Sequence, residues 1–392
     1  MKSGIRIVAL LNLLLFLAFT SCKKNMDESM DYSSSALADP NSSFLSDESL
    51  SPQPGLITAG EWCDLNNWLF WMELIQGTYV DKTDYWQMYP SQRYNVMVTT
   101  EEGVPVTDCT LKLLSDAGDV LWISKSDCRG KSELWENPYG ENYIANSIEV
   151  THNGYTQTLD APTEYQNGNN LIKLPVVNQI NPTVEVVFVV DATGSMGDEI
   201  EYLKSELGDV IVRSSMNNSM SIRLGAVFYR DSGDDYITKV TPLSSNINST
   251  LSFINQQEAD GGGDYPESVE KGLQTAINMS WSEHAVSRIL FLLLDAPPHH
   301  NSQVLSELHS IVRVASQKGI KIIPITASGS DKETEFLCRF MAALTNGTYV
   351  FITDHSGIGE DHIEATVGQF EVEYLNDLLV RLITKYSDYQ ED

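Results

Sequence analysis

The chain has 392 residues, with 54 acidic and 25 basic side chains and a formal net charge of -29. That length allows more than one domain with a core of its own. Such acidity argues against nucleic acid as a partner, because phosphates are met by basic side chains and released counterions. It suits a protein that meets cations, or one that its charge simply keeps in solution.

Lys2 and Arg6 precede an apolar run, Ile7 to Phe19, that is too short to span a bilayer comfortably. The run leads into "FTSC", which closes on Cys22. This segment resembles a bacterial lipoprotein signal; the alternative is an ordinary secretory signal with a chance cysteine. The resemblance implies removal of residues 1–21 and lipidation of Cys22. The membrane is then a partner through the lipid, and the protein sits in a Gram-negative-type cell envelope, at the outer membrane, on its surface or periplasmic face. Each buried acyl methylene adds about 0.8 kcal/mol to such an anchor. Residues 22–57 are dominated by Ser, Asp and Pro, so a disordered tether is expected. An exported chain can oxidise its thiols. Cys109 and Cys128 bracket one predicted hairpin and are the expected disulfide, while Cys63 and Cys338 are left unassigned. No CxxC or His/Cys cluster suggests zinc.

Residues 58–84 read as a helical, aromatic-rich segment. Leu65, Trp68, Met72 and Ile75 recur at helical spacing, with Trp62 and Trp71 beside them. An aromatic ligand platform and a helix docking its greasy face both fit, and the spacing favours docking. Residues 85–178 switch to short β-rich runs, "YNVMVTT", "TLKLLSD", "VLWISKS" and "SIEVTHN", punctuated by turn signals such as "DAGD" and "NPYG". A small antiparallel β-sandwich is expected. It resembles the transthyretin-like sandwiches attached to carboxypeptidases and outer-membrane receptors, which implies a spacer or interaction module.

From 180 to 388, apolar strands alternate with helical stretches. "VEVVFVV", "RLGAVFY", "RILFLLL", "KIIPITA" and "TYVFI" are nearly continuous hydrophobic runs. That pattern predicts an α/β domain with a doubly wound, mostly parallel, Rossmann-like sheet covered on both faces. Ligands of such sheets collect beyond the carboxyl ends of the strands. There the chain places Asp191-x-Thr193-x-Ser195 after the first strand and Asp295 after the third parallel strand. Between them "DGGGDYPES" offers Asp264, ahead of a helix that Pro266 can start. A catalytic carboxylate, a metal site and a polar turn all begin this way. Several carboxylates gathered on one edge repel unless a cation sits among them, and five hard oxygen donors suit Mg2+ or Mn2+, with Ca2+ also admitted.

"DATGSM", "GGGDYPE" and "LLLDAPPH" together resemble a von Willebrand factor type A domain with its metal-ion-dependent adhesion site. The resemblance implies that Asp191, Thr193, Ser195, Asp264 and Asp295 hold the ion, some through water. Asp264 stands where the family pattern has a threonine. It further implies an open coordination position that captures an acidic side chain of a protein partner: recognition, not turnover. The turn with Asp231, Asp234 and Asp235 rims the site or holds a second cation if its strand is parallel to the first; a solvated turn is the plainer reading. His299 reads as support for the site or as loop packing.

Enzyme readings fare worse. Ala192 breaks the aspartic-protease DTGS spacing, and those proteases need a second such aspartate. A haloacid-dehalogenase-type phosphatase needs an aspartate where Thr193 stands. No P-loop or dinucleotide fingerprint is present. The sequence is therefore read as a lipid-anchored envelope protein that binds a partner through a divalent cation. A metal-assisted hydrolase on the same aspartates and a structural assembly component are the alternatives.

Overall fold

A computed structural model describes residues 54–177, 181–217, 220–356 and 362–389. Cys22, the signal segment and the tether as far as residue 53 lie outside the described residues. Chain order begins with β1 (Thr58–Trp62), α1 (Trp68–Gln76) and α2 (Val80–Trp86). A β-rich stretch follows: β2 (Gln92–Thr100), β3 (Thr110–Ser115), β4 (Val120–Lys125), β5 (Lys131–Glu136), β6 (Ala145–His152), β7 (Tyr155–Asp160) and β8 (Asn170–Leu174). The remainder is β9 (Thr183–Asp191), α3 (Gly197–Asn217), β10 (Ser221–Tyr229), β11 (Thr238–Ser244), α4 (Ile247–Ile254), α5 (Val269–Ile277), β12 (Ser287–Leu294), α6 (Ser302–Lys318), β13 (Ile320–Thr326), α7 (Lys332–Leu344), β14 (Tyr349–Thr353), β15 (Val372–Tyr374) and α8 (Leu375–Ser387).

The expected parallel sheet is present, and it is larger than the sequence suggested. Its order is β11-β10-β9-β12-β13-β14-β1-β15. Strands β10, β9, β12, β13 and β14 run parallel. The edge strand β11 is antiparallel to β10. Alternation along β9 feeds two cores. Val187 and Val189 join the face covered by α5, α6 and α7, whereas Val186, Phe188 and Val190 join the face covered by α3 and α8.

β1 corrects the reading of 58–84 as wholly helical. It pairs antiparallel with β14 and then with β15, so the segment ahead of the β-rich body completes the α/β sheet. Gly60 is required there: a Cβ would stand 2.6 Å from the Phe351 ring and 2.7 Å from Phe370. The chain is already docked before β1, inside the expected tether. The Gly55, Leu56 and Ile57 N–H groups all donate to Oε1 of Glu206 on α3, at 2.8, 3.0 and 3.3 Å. The helical spacing further on behaves as a docking face. Trp68, Trp71 and Ile75 of α1 are buried, while Leu69 between them is 78% exposed.

The β-rich stretch forms two sheets, β5-β2-β8 and β4-β3-β6-β7. Val96, Val98, Leu111, Leu113, Leu134 and Ile148 from both fill one core. That core continues into α6 and α7 without a break. The expected Cys109–Cys128 disulfide is not formed; both thiols are free and buried. Cys109 packs with the sandwich residues, whereas Cys128 belongs to the other cluster with Ile57, Val350 and Tyr386, so the two side chains face different cores.

Candidate metal centre

β9 and β12 are adjacent and parallel, with Leu293 opposite Val190. Asp191 therefore ends β9 beside the end of β12, and Asp295 follows one residue past that strand. Asp191 is fully buried and Asp295 is 4% exposed. Asp191 Oδ1 accepts hydrogen bonds from the Thr193 N–H at 2.9 Å and the Thr193 hydroxyl at 2.7 Å. Thr193 Oγ1 lies 3.3 Å from Ser195 Oγ, and Ser195 opens to solvent. The alternating motif thus runs from a buried carboxylate to an exposed hydroxyl. Among the described residues, Asp191 Oδ2 and Asp295 Oδ1 are buried without a well-formed hydrogen bond, with the buried Tyr229 hydroxyl acting on the Asp191 carboxyl from nearby.

That arrangement makes ionisation costly. Burial, then the charge of Asp295, pushes the Asp191 carboxyl up to about 7 against the two bonds from Thr193. Burial also pushes Asp295 up to about 6, with Glu199 adding to it and a Ser195 hydrogen bond opposing it. Two unsatisfied oxygens flanked by two hydroxyls form a hard-donor set of the kind that holds a divalent cation.

The second loop approaches closely. Gly262 has φ +72°, and a Cβ on it would stand 3.2 Å from Thr193 Cβ and 3.0 Å from Glu267 Oε1. The Gly194 N–H donates to Gly261 O at 3.1 Å, and the Gly262 N–H to Asp234 Oδ2 at 3.0 Å. Asp234 also accepts from the Asp231 N–H at 3.1 Å, so it ties the β10 turn to this loop. Asp235 is exposed in the same turn.

Asp264 differs from expectation. It is exposed, and its carboxylate gathers with Asp231 and His299, their ligand atoms all within 4.8 Å of one another. Among the described residues, that cluster of three does not include Asp191 or Asp295. The carboxylate that the second loop turns inward is Glu267, which the sequence reading passed over. It is 3% exposed, and among the described residues its Oε2 has no hydrogen-bond partner. Burial, then the charges of Asp191, Asp231, Asp295 and Asp234, pushes it up to about 9. α5 begins at Val269, not at Pro266, and the Glu267 N–H ahead of it is bound to Pro297 O at 3.0 Å. The only sequence signal for Glu267 was its place two residues past Tyr265 in "DYPES".

The parallel pairing of β10 with β9 puts Asp231 on the same edge. Ser268 Oγ donates to Asp231 Oδ1 at 2.8 Å, and His299 Nε2 lies 2.9 Å from that same oxygen. Burial alone would raise the Asp231 carboxyl, but bonds from the Ser232 N–H, His299 and Ser268 hold it below its ordinary range. His300 turns the other way and stacks on Tyr85 of α2, with ring centroids 3.6 Å apart.

An eight-stranded, mostly parallel sheet with helices on both faces, and an Asp-x-Thr-x-Ser turn at the end of β9, is the arrangement that the von Willebrand factor A resemblance implied. The family model described as von Willebrand factor A domain matches residues 185–359. Two curated relatives match part of the chain. An ariadne-like RING finger protein of Acanthamoeba polyphaga mimivirus is 30% identical over 174 residues, 44% of this chain and 16% of that protein. The alpha-protein kinase vwkA of Dictyostelium discoideum is 27% identical over 198 residues, 49% of this chain and 30% of that protein. This chain therefore spans under a third of either relative. Among solved structures, BatB from Bacteroides thetaiotaomicron aligns with a TM-score of 0.36 and 15% identity, over 52% of this chain and 98% of that one. A von Willebrand factor A domain points to a protein-interaction or adhesion-type role.

Proposed function

We propose that this protein binds a protein partner through a divalent cation held by Asp191, Thr193, Ser195 and Asp295. One observation carries the reading: among the described residues, Asp191 Oδ2 and Asp295 Oδ1 are buried at the ends of adjacent strands without a well-formed hydrogen bond. Two like charges in that setting call for a cation. Thr193 orients Asp191 through both of its donors, and Ser195 faces solvent where a partner approaches. The ion, Mg2+ or Mn2+, supplies the positive charge that an acidic partner side chain seeks. Asp264 stands aside from this set, and Glu267 backs it. We further propose that residues 1–21 are a signal, that Cys22 carries lipid, and that the domain is displayed from the cell envelope on the tether that follows.

Calorimetric titration of Mg2+ into the metal-stripped full chain tests the site. One saturable event is expected, and Asp191→Ala should weaken it by at least tenfold with the fold intact by circular dichroism. Unchanged affinity in Asp191→Ala would refute the site.

A further inference from the structure

The edge of a sheet carries free N–H and C=O groups and recruits further strands unless something blocks it. Other edges of this fold are blocked. β11 carries Lys239 and Pro242 and pairs with β10 through a register shift. β15 is three residues long. Arg313 and Ser316 of α6 donate to Leu121 O and Ile123 O of β4, at 2.9 and 3.0 Å. β5 and β8 carry Lys131 and Lys173. β7 has none of these devices. Its six residues, "YTQTLD", hold no proline and no lysine, and they pair with β6 without a shift. Among the described residues, no strand lies beyond β7 in the order β4-β3-β6-β7.

The β6–β7 turn decides which groups face outward. His152 pairs with Tyr155 across Asn153 and Gly154, whose φ values are +47° and +82°. In such a two-residue turn the flanking residues are hydrogen-bonded to each other. Bonding alternates along an antiparallel pair, so Gln157 and Leu159 also face β6. Ala161 continues the series, its N–H donating to Asn146 O at 2.9 Å. Thr156, Thr158 and Asp160 therefore turn their N–H and C=O groups to the open edge. All three residues are exposed.

We propose that β7 pairs antiparallel with β7 of a second copy of this chain, on a twofold axis at Thr158. Charge selects this occupant. Copies of a chain with net charge -29 repel one another, yet β7 holds a single charge, Asp160, at its end. Glu149 on neighbouring β6 is paired with Lys112 at 2.7 Å. With Thr158 opposite itself, Asp160 falls opposite Thr156 of the partner subunit. The two aspartates then stand four residues apart, roughly 13 Å along the strands and beyond a screening length of about 8 Å. Each outward residue exchanges both backbone bonds in this register, and no charge meets its like. Two four-stranded sheets become one of eight. The contact is small, so the dimer is weak in dilute solution. This edge belongs to the β-rich body and needs no cation.

The test is sedimentation velocity of the full chain in excess chelator, up to about 0.5 mM, where small interfaces are populated. A concentration-dependent equilibrium between monomer and dimer is expected. Thr158→Pro removes an N–H that β6 does not use, so circular dichroism should show the fold intact while the dimer Kd rises at least tenfold. Thr156→Lys sets a lysine opposite Asp160 of the partner subunit and should tighten the dimer severalfold, more so at low salt. A monomer at every concentration would overturn the pairing. So would a dimer that Thr158→Pro leaves intact, or one that Thr156→Lys weakens.

Discussion

Asp191 and Asp295 are carboxyls that the fold makes costly to ionise, and that cost depends on pH. Raised to about 7 and about 6 in the folded chain, both keep their protons where an unfolded chain, near 3.8, has lost them. Below about pH 4 both states are protonated and the groups cost nothing. As pH rises from about 4 to about 7, the unfolded state sheds protons first, so metal-free stability falls across that window and then levels off. A three-unit shift at one site is worth roughly 4 kcal/mol before coupling is considered. Metal-stripped protein should melt several degrees lower at pH 8 than at pH 5, as thermal scans would read. Protons and cation compete for the same oxygens, so Mg2+ affinity should drop as pH falls below about 6. A flat affinity between pH 8 and pH 5 would contradict this.

Much of this site was legible at the residue scale. Asp191, Thr193 and Ser195 stand where an apolar run stops, and Asp295 ends a second such run, so strand-end geometry alone brings them together. Asp264 and Glu267 were exchanged for a physical reason. Three glycines let the loop take φ of +79° and +72° at Gly261 and Gly262, and that turn sends Asp264 outward and Glu267 in. Sequence spacing does not encode the direction of a left-handed turn.

At the scale of elements, the clearest departure is β1. Five residues, "TAGEW", carry too little periodicity to announce a strand, and their partners β14 and β15 lie about three hundred residues away in sequence. What fixes the segment is equally remote. Arg339 on α7, fully buried, donates to Asp64 Oδ2 at 2.9 Å and Oδ1 at 2.6 Å, just past β1. Its guanidinium also lies 5.2 Å from the Trp71 ring centroid of α1. Arg339→Ala would leave Asp64 buried without its ion-pair partner, held by the Trp62 indole N–H alone, and breaking a buried pair in this way typically costs about 3–5 kcal/mol. Chemical denaturation should show that loss without a change in Mg2+ affinity, because the pair belongs to the opposite side of the core from the strand-end loops. A loss below ~1 kcal/mol would mean that the pair is not what holds the segment.

At the scale of the whole molecule, the β-rich body and the α/β domain are one packed unit. Trp122 Nε1 donates to Ser316 Oγ on α6 at 2.9 Å, Arg313 of α6 donates to Leu121 O at 2.9 Å, and Arg288 of β12 pairs with Asp108 at 2.9 Å. The domain boundary expected near residue 180 is thus a boundary in composition, not in packing. A chain beginning at residue 181 lacks β1 and exposes one edge of β14 together with the α6 and α7 faces. It should aggregate or melt far below a chain beginning at residue 54, which should unfold in one cooperative transition by calorimetry.

The proposed site requires Asp191 and Asp295 to be a charged pair at pH 8 that a cation neutralises. The most direct measurement is the melting temperature at pH 8 of metal-stripped wild type and Asp191→Asn, each with and without saturating Mg2+. Removing one of two buried like charges should make the stripped Asp191→Asn variant more stable than stripped wild type, and Mg2+ should raise wild type by several degrees while leaving the variant unmoved. Wild type indifferent to Mg2+, with Asp191→Asn melting below it, would show instead that Asp191 is an ordinary structural carboxylate of the turn.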